Sequence, residues 1–290
     1  MVDQPHDVVV VGVDGSDKDA RAVEWAADEA VGQGTGLHIL YSFPILPDGF
    51  PAVQLEELGT EITGRARQRA LARQPELEVT TQTVVSDPAT ALVRASATAR
   101  VLVVGARGLG RIAGRLLGSV SQKVAAHGQG VIVVVRDAAA IPEGPVVAGV
   151  DPAEVTPGML EFAFAQAARR RVPVRLVHAE VPRPAGLEDP RVDRLLAGIS
   201  EQESAQLTRL AQEWRARRPD VPVETKEVHD HPVEALTEES ADACLLVVGS
   251  RGRRGLSGLR LGSVARGVLH ESPVVAIVHL APEQSGDTEA

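Results

Sequence analysis

The chain has 290 residues, is 44% hydrophobic and carries a formal net charge of −9; the length suffices for two ordinary domains, and the acidic balance argues against a general nucleic-acid binder or a membrane-surface protein. Its apolar runs are strand-sized, such as VIVVV at 131–135, and its first residues lack the basic stretch of a leader. The single cysteine, Cys244, excludes an internal disulfide, so a cytoplasmic protein with one buried, inert thiol is expected.

A strand is predicted over 7–13, where DVVVVGV is apolar throughout instead of alternating. That pattern belongs to strands covered on both faces of a parallel sheet. A helix over 17–32 follows, with Ala22, Trp25, Ala26 and Ala30 at helical spacing. Next come strand 37–43, helix 55–73, strand 78–85, helix 88–97 and strand 101–105. That strand runs into GARGLGRIAGRLLGS at 105–119, then helix 119–127 and strand 130–136. The stretch DAAAIPEG, 137–144, reads as a linker.

The series then repeats as strand 145–150, helix 155–171, strand 173–179, helix 191–218, strand 223–229, helix 232–241 and strand 244–249. A second loop, GSRGRRGLSGLRLGS at 249–263, leads to helix 263–271 and strand 273–279. Strict strand–helix alternation predicts right-handed crossovers, hence two doubly wound, open parallel α/β units over 1–138 and 144–282. Pro/Gly-rich stretches at 44–51 and 182–190 follow the second strand of each unit and read either as lids or as plain surface loops.

The two loops share one glycine spacing: Gly105, Gly108, Gly118 and Ser119 correspond to Gly249, Gly252, Gly262 and Ser263. No acidic residue occurs from 88 to 136 or from 243 to 270, yet each window holds at least five arginines, Arg107 and Arg251 among them. A local positive field on an acidic protein suits a small anion such as a nucleotide phosphate. Glycine lets the main chain approach a ligand closely, and the free N–H groups of a helix start favour an anion. Ser119 is placed to cap that helix or to meet a phosphate oxygen. If the first and fourth strands are neighbours at the reversal of strand order, Asp14 lines the same crevice and is suited to ribose hydroxyls or adenine. The alternative is that these glycines only make turns.

These residues resemble the universal stress protein family, whose nucleotide-binding branch carries glycine, two residues, glycine, nine residues, glycine, then serine or threonine. The opening VVVVGVDGS, the EWAADEA helix, SDPATALV and GSVSQKVAAH are similar to the family as well. The resemblance implies a tandem, Rossmann-like protein with strand order 3-2-1-4-5 in each unit and ATP, or ADP or AMP, as ligand, often with magnesium. It places adenine and ribose at Gly12, Val13, Asp14 and Ser42. It places the phosphates at Gly105, Arg107, Gly108, Gly118, Ser119, Val120 and Ser121. The second set is Gly149, Val150, Asp151 and Ala179, then Gly249, Arg251, Gly252, Gly262, Ser263 and Val264. Pro152 and Ala153 replace Gly15 and Ser16 there, and Ala265 replaces Ser121, which favours the first site. Family members usually pair through their last strand, here within one chain, and a homodimer of the chain is compatible with this.

Three functional readings follow. The first is a nucleotide-binding stress or regulatory protein without efficient chemistry. The second is a slow ATPase or another ATP-consuming enzyme of the same superfamily. The third is a ligand-free pairing module. Neither glycine loop has the lysine of GxxxxGK[ST], and the acid-free windows suggest no general base beside the phosphates. Binding without turnover is therefore the expectation, with no catalytic residue and no resident metal. His178, His229 and His231 are expected to be ordinary loop and strand-end histidines, and the Glu238-Glu239 pair a solvated helix face.

Overall fold

The computed structural model describes residues 6–44, 52–108, 117–136, 141–156, 158–180, 189–251 and 261–279, with only the backbone for 52–54. In the first half the strands are β1 (Val9–Val13), β2 (Leu37–Phe43), β3 (Val79–Val85), β4 (Val101–Gly105) and β5 (Val131–Val135). Its helices are α1 (Ala20–Gly32), α2 (Ala52–Arg73), α3 (Pro88–Ser96) and α4 (Ser119–His127). The second half has strands β6 (Val146–Gly149), β7 (Val174–Ala179), β8 (Val223–Val228), β9 (Leu245–Gly249) and β10 (Val274–Val278). Helices α5 (Met159–Arg170), α6 (Pro190–Arg217), α7 (Pro232–Glu239) and α8 (Ser263–Val268) cover them. None of the described helices is long and apolar enough to cross a membrane.

The strands form one sheet in the order β3-β2-β1-β4-β5-β10-β9-β6-β7-β8. Each half thus has the expected order 3-2-1-4-5, parallel throughout, with the reversal between its first and fourth strands. The halves meet where β5 and β10 pair antiparallel, from Val131↔Val278 to Val135↔Val274. The ladder centres on Val133↔Ala276, so a pseudo-twofold axis passes there. Main-chain bonds from Arg136 N–H to Pro273 O (2.9 Å) and from His279 N–H to Gly130 O (2.8 Å) extend it equally at both ends. Two apolar strands that would otherwise be exposed edges cover each other.

Continuous valine runs put side chains on both sheet faces, and both faces are covered. Val9, Val11, Leu37 and Ile39 pack under α1 and α2 with Trp25, Ala26 and Ile62, and that core continues through Phe164, Leu207 and Trp214 of the second half. Val10, Leu102, Val104 and Ile132 face Leu92, Val124 and Ala125, continuing through Leu236, Leu246 and Val268. Each core layer therefore crosses the seam.

Some expected elements are shorter. The region 17–32 splits into a 3-10 turn at Asp17–Asp19 and α1. Helix α5 starts at Met159 instead of 155, because Gly158 at its N-cap has φ +77°, which a right-handed helix cannot continue through. Helix α8 stops at Val268, not 271, and turns follow over 269–271. The Glu238-Glu239 expectation needs correction. Glu239 is buried and pairs with Arg175 (3.3 Å) and with Lys226, tying α7 to β7 and β8. Cys244 is buried as expected, and burial pushes its thiol up.

Candidate functional site

Both glycine loops leave the carboxyl end of a fourth strand beside the carboxyl end of a first strand. Their described parts are built alike. Ala106 N–H donates to Val135 O (2.7 Å), and Gly118 N–H donates to Ala106 O (2.7 Å). In the second half Ser250 N–H reaches Val278 O (2.9 Å), and Gly262 N–H reaches Ser250 O (2.7 Å). These bonds bring both ends of each loop together, so Gly118 and Gly262 stand as N-caps of α4 and α8 beside the strand ends. Neither helix start has a side-chain cap, which leaves its first N–H groups for another acceptor. Ser119 and Ser263, just inside those starts, are exposed. Val120 and Val264 are half-buried behind them.

Asp14 lies across the crevice from the loop. A Cβ built on Gly108 would overlap Asp14 Oδ2 and stand 3.1 Å from its Cγ, so only glycine fits there with Asp14 where it is. A Cβ on Gly105 would lie 3.8 Å from Oδ1 of Asp19. Asp19 is a residue the sequence reading missed. It is 8% exposed, and its Oδ2 accepts from Asp14 N–H (2.6 Å) and Gly15 N–H (2.9 Å). Asp14 Oδ1 in turn accepts from Ser16 N–H (2.9 Å). Burial foremost, and then the charge of Asp14, push the Asp19 carboxyl up to about 7. The signal available in the sequence was only that an acid at 19 follows one at 14, which is too common a pattern to single out.

The acid-free windows therefore mislead. Asp14 and Asp19 come from far upstream, yet they stand against Gly108 and Gly105. The expectation that nothing beside the loop is suited to take a proton is corrected on this point.

Other expected residues divide by what they touch. Gly12 and Gly149 serve packing: a Cβ there would stand 2.6 Å from Leu92 Cδ2 in one half and 2.7 Å from Leu236 Cδ1 in the other. Val13 and Val150 are buried at the ends of the first strands, and Ala179 is half-buried at the end of β7. Ser42 is buried and donates to Ser86 O (2.8 Å), joining the ends of β2 and β3. The Ser121 hydroxyl, expected at a phosphate, donates to Gly105 O (2.6 Å) and braces the loop. Ala265 offers no such brace. Arg107 and Arg251 are exposed on the described edges of the loops, whereas Gly252 lies outside the described residues. So do most of 44–51 and 182–190.

In the second half, Asp151 Oδ1 accepts from Ala153 N–H (3.1 Å), the same two-residue turn as at Asp14. Thr156 stands where Asp19 does, and a Cβ on Gly249 would overlap its Oγ1.

A basic side chain crosses the seam beside each loop. The Arg136 guanidinium donates to Leu269 O (2.9 Å) at the end of α8, and burial together with neighbouring Arg107 lowers its pKa. His279 is its pseudo-twofold counterpart. Burial foremost, with Arg251 adding, holds it below the usual imidazole range. His178, His229 and His231 lie against separate carboxylates, those of Glu203, Glu180 and Glu234.

A cavity of about 660 Å³ lies away from both crevices, between α1 and the second half, lined by Trp25, Arg73, Pro142 and Cys244 among others. Its charged wall is paired internally, Arg73 with Asp28 (2.8 Å) and Arg21 with Glu24 (3.6 Å). The crevice is favoured over this space because glycines, a helix start and an aspartate meet there in both halves.

Comparison with known proteins gives a consistent result. The model of the universal stress protein family matches twice, over residues 6–136 and 144–279. Universal stress protein Rv2005c of Mycobacterium tuberculosis is 36% identical over 291 residues, covering 93% of this chain and 96% of its own. Universal stress protein Rv1996 of the same organism is 31% identical over 303 residues, covering 95% of each. Among solved structures, a universal stress protein from Archaeoglobus fulgidus covers 96% of this chain and 98% of its own. It has a TM-score of 0.69 at 17% identity, a likeness of fold alone.

Proposed function

The chain belongs to the universal stress protein family, and we propose that each half binds an adenine nucleotide, ATP or its ADP and AMP relatives, in a stress-response role without efficient turnover. The observation that carries this reading is the repeated cradle. In each half a helix start without a side-chain cap, preceded by glycine, opens beside an aspartate at the end of the first strand. The helix starts suit phosphate oxygens, and Asp14 and Asp151 suit ribose hydroxyls. The absent Cβ of Gly108 leaves room for the Asp14 carboxylate, which brings that group against the start of the loop.

Magnesium enters this reading as the nucleotide's own counter-ion. Among the described residues no three His, Cys, Asp or Glu side chains gather around one point. The domain limits 1–138 and 144–282 and a cytoplasmic setting belong to the same proposal. The buried lone thiol of Cys244 fits that setting.

One observation favours a slow ATPase instead: Asp14 and Asp19 stand against the loop glycines. Yet the Asp19 Oδ2 oxygen already holds two backbone N–H groups, those of Asp14 and Gly15, so it is committed to the chain and not to an attacking water. Mass spectrometry of small molecules released from purified protein, with single-turnover assays on ATP, separates the readings. Co-purifying adenine nucleotide with negligible phosphate release supports binding alone, and rapid release overturns it.

A further inference from the structure

Among the described residues the two crevices differ at Asp19 in the first half and Thr156 in the second. Asp19 sits beneath the loop: Oδ2 holds Asp14 N–H and Gly15 N–H, while Oδ1 faces Gly105. The charge of Asp14 bears on the Asp19 carboxyl and, after burial, helps to raise it. Asp14 Oδ2 lies against Gly108. Two carboxyl groups therefore stand directly against the two glycines that begin the phosphate motif.

Resting on the nucleotide reading above, we infer that an anionic nucleotide tail binds the first crevice with uptake of a proton at Asp19. The second crevice, with Thr156, binds without one. A phosphate brought against Gly105 and Gly108 adds negative charge beside a carboxylate. One proton from the solvent adding to a carboxyl oxygen of Asp19 removes that repulsion and supplies a donor. Asp19 is thus a positioning residue for the first site, acting on ligand charge through its own protonation.

The surroundings favour this. Asp14 is the charged group that bears on Asp19, from the end of β1. Tyr41 of β2 stands near Asp14, and burial together with that charge raises its phenol. Around the Gly105 position the other nearest atoms are the carbonyl oxygens of Arg107 and Lys18. Arg107 bears on Arg136 at the seam. In the free protein the proton is held near neutrality, so a small added field is enough to shift it.

The test is titration calorimetry of the full chain with ATP between pH 6.5 and 8.5, in buffers of different ionisation enthalpy. Wild type is compared with Asp19→Asn and with Asp19→Thr, which copies the second half's own residue. The same ligand is used throughout, so titration of ATP itself cancels. The wild type should take up more protons at its first site than either variant. Its affinity there should fall with rising pH more steeply than theirs, by up to about tenfold per pH unit. Equal proton uptake and parallel pH profiles overturn this inference and leave the nucleotide reading standing. Absence of ATP binding to all three proteins overturns both.

Discussion

Gly108 and Asp14 belong to different strand–helix connections, yet Gly108 leaves no room for a side-chain carbon between itself and the Asp14 carboxylate. In Gly108→Ala the new methyl must displace either Asp14 or the loop backbone. The first alters the ribose contact, and the second moves the phosphate cradle. ATP affinity at the first half should fall by about tenfold or more, equivalent to roughly 1.4 kcal/mol. Calorimetric titration measures it, and unchanged affinity would contradict the shared crevice.

Ser121 makes a separate prediction. Its hydroxyl is buried and donates to Gly105 O at 2.6 Å, so it fixes where the strand ends and the loop begins. Ser121→Ala should cost about 1 kcal/mol of stability, the usual net value of such a bond. Thermal unfolding without ligand reads this directly. Because the hydroxyl already has an acceptor, the loss of ATP affinity should stay below that of Gly108→Ala. A larger loss of affinity than of stability would return Ser121 to the phosphate.

How far the sequence carried these conclusions depends on the range of each interaction. Local pattern sufficed for β4 ending at Gly105 and α4 spanning 119–127, since apolar runs, glycines and helix starts lie within a few residues of one another. The strand order followed from resemblance to a family and holds in both halves. Asp19 was not legible, because its importance arises from Gly105, distant in the chain, and from burial that only the fold creates. Glu239 was misread for the same reason: its partners Arg175 and Lys226 lie on strands of another segment. At Gly12 and Gly149 the resemblance pointed to the ligand, and the fold adds a second reason for glycine there, the leucine packed against each.

The raised Asp19 carboxyl also sets a pH dependence of stability. Its folded value is about 7 against 3.8 for the free group. Between those values the folded state keeps a proton that the unfolded chain has lost. The stability contributed by this group is therefore fully present below about pH 3.8 and is lost as pH rises toward 7, by on the order of 1.4 kcal/mol per pH unit. Asp19→Asn retains an acceptor for the Asp14 and Gly15 amides without a titrating proton. Its melting temperature relative to wild type should climb from pH 5 to 7 and level off above. A difference that stays flat across that range would contradict the assignment.

Glu29 carries the strongest prediction about how the halves stay together. It is 2% exposed on α1 and, besides Gln33 at the end of its own helix, its partners lie on α5 of the other half. Gln166 Nε2 donates to Oε1 at 2.6 Å and Arg169 Nη2 at 2.9 Å, while Arg170 Nη2 reaches Oε2 at 3.5 Å. Arg170 also lies over the Trp25 ring, 5.4 Å from its centroid. Removing the carboxylate strands a buried amide and two partly buried guanidinium groups, and breaking a buried pair from one side typically costs about 3–5 kcal/mol. Glu29→Ala should lower stability by an amount in that range in denaturant unfolding. Glu29→Gln keeps the acceptor oxygen but loses the charge, so it should recover part of the loss. Because β5 and β10 remain paired through five residue pairs, hydrogen exchange should quicken in α1 and α5 before it quickens in those strands. Uniform quickening across the sheet would mean that the strand pairing, and not the Glu29 cluster, limits separation of the halves.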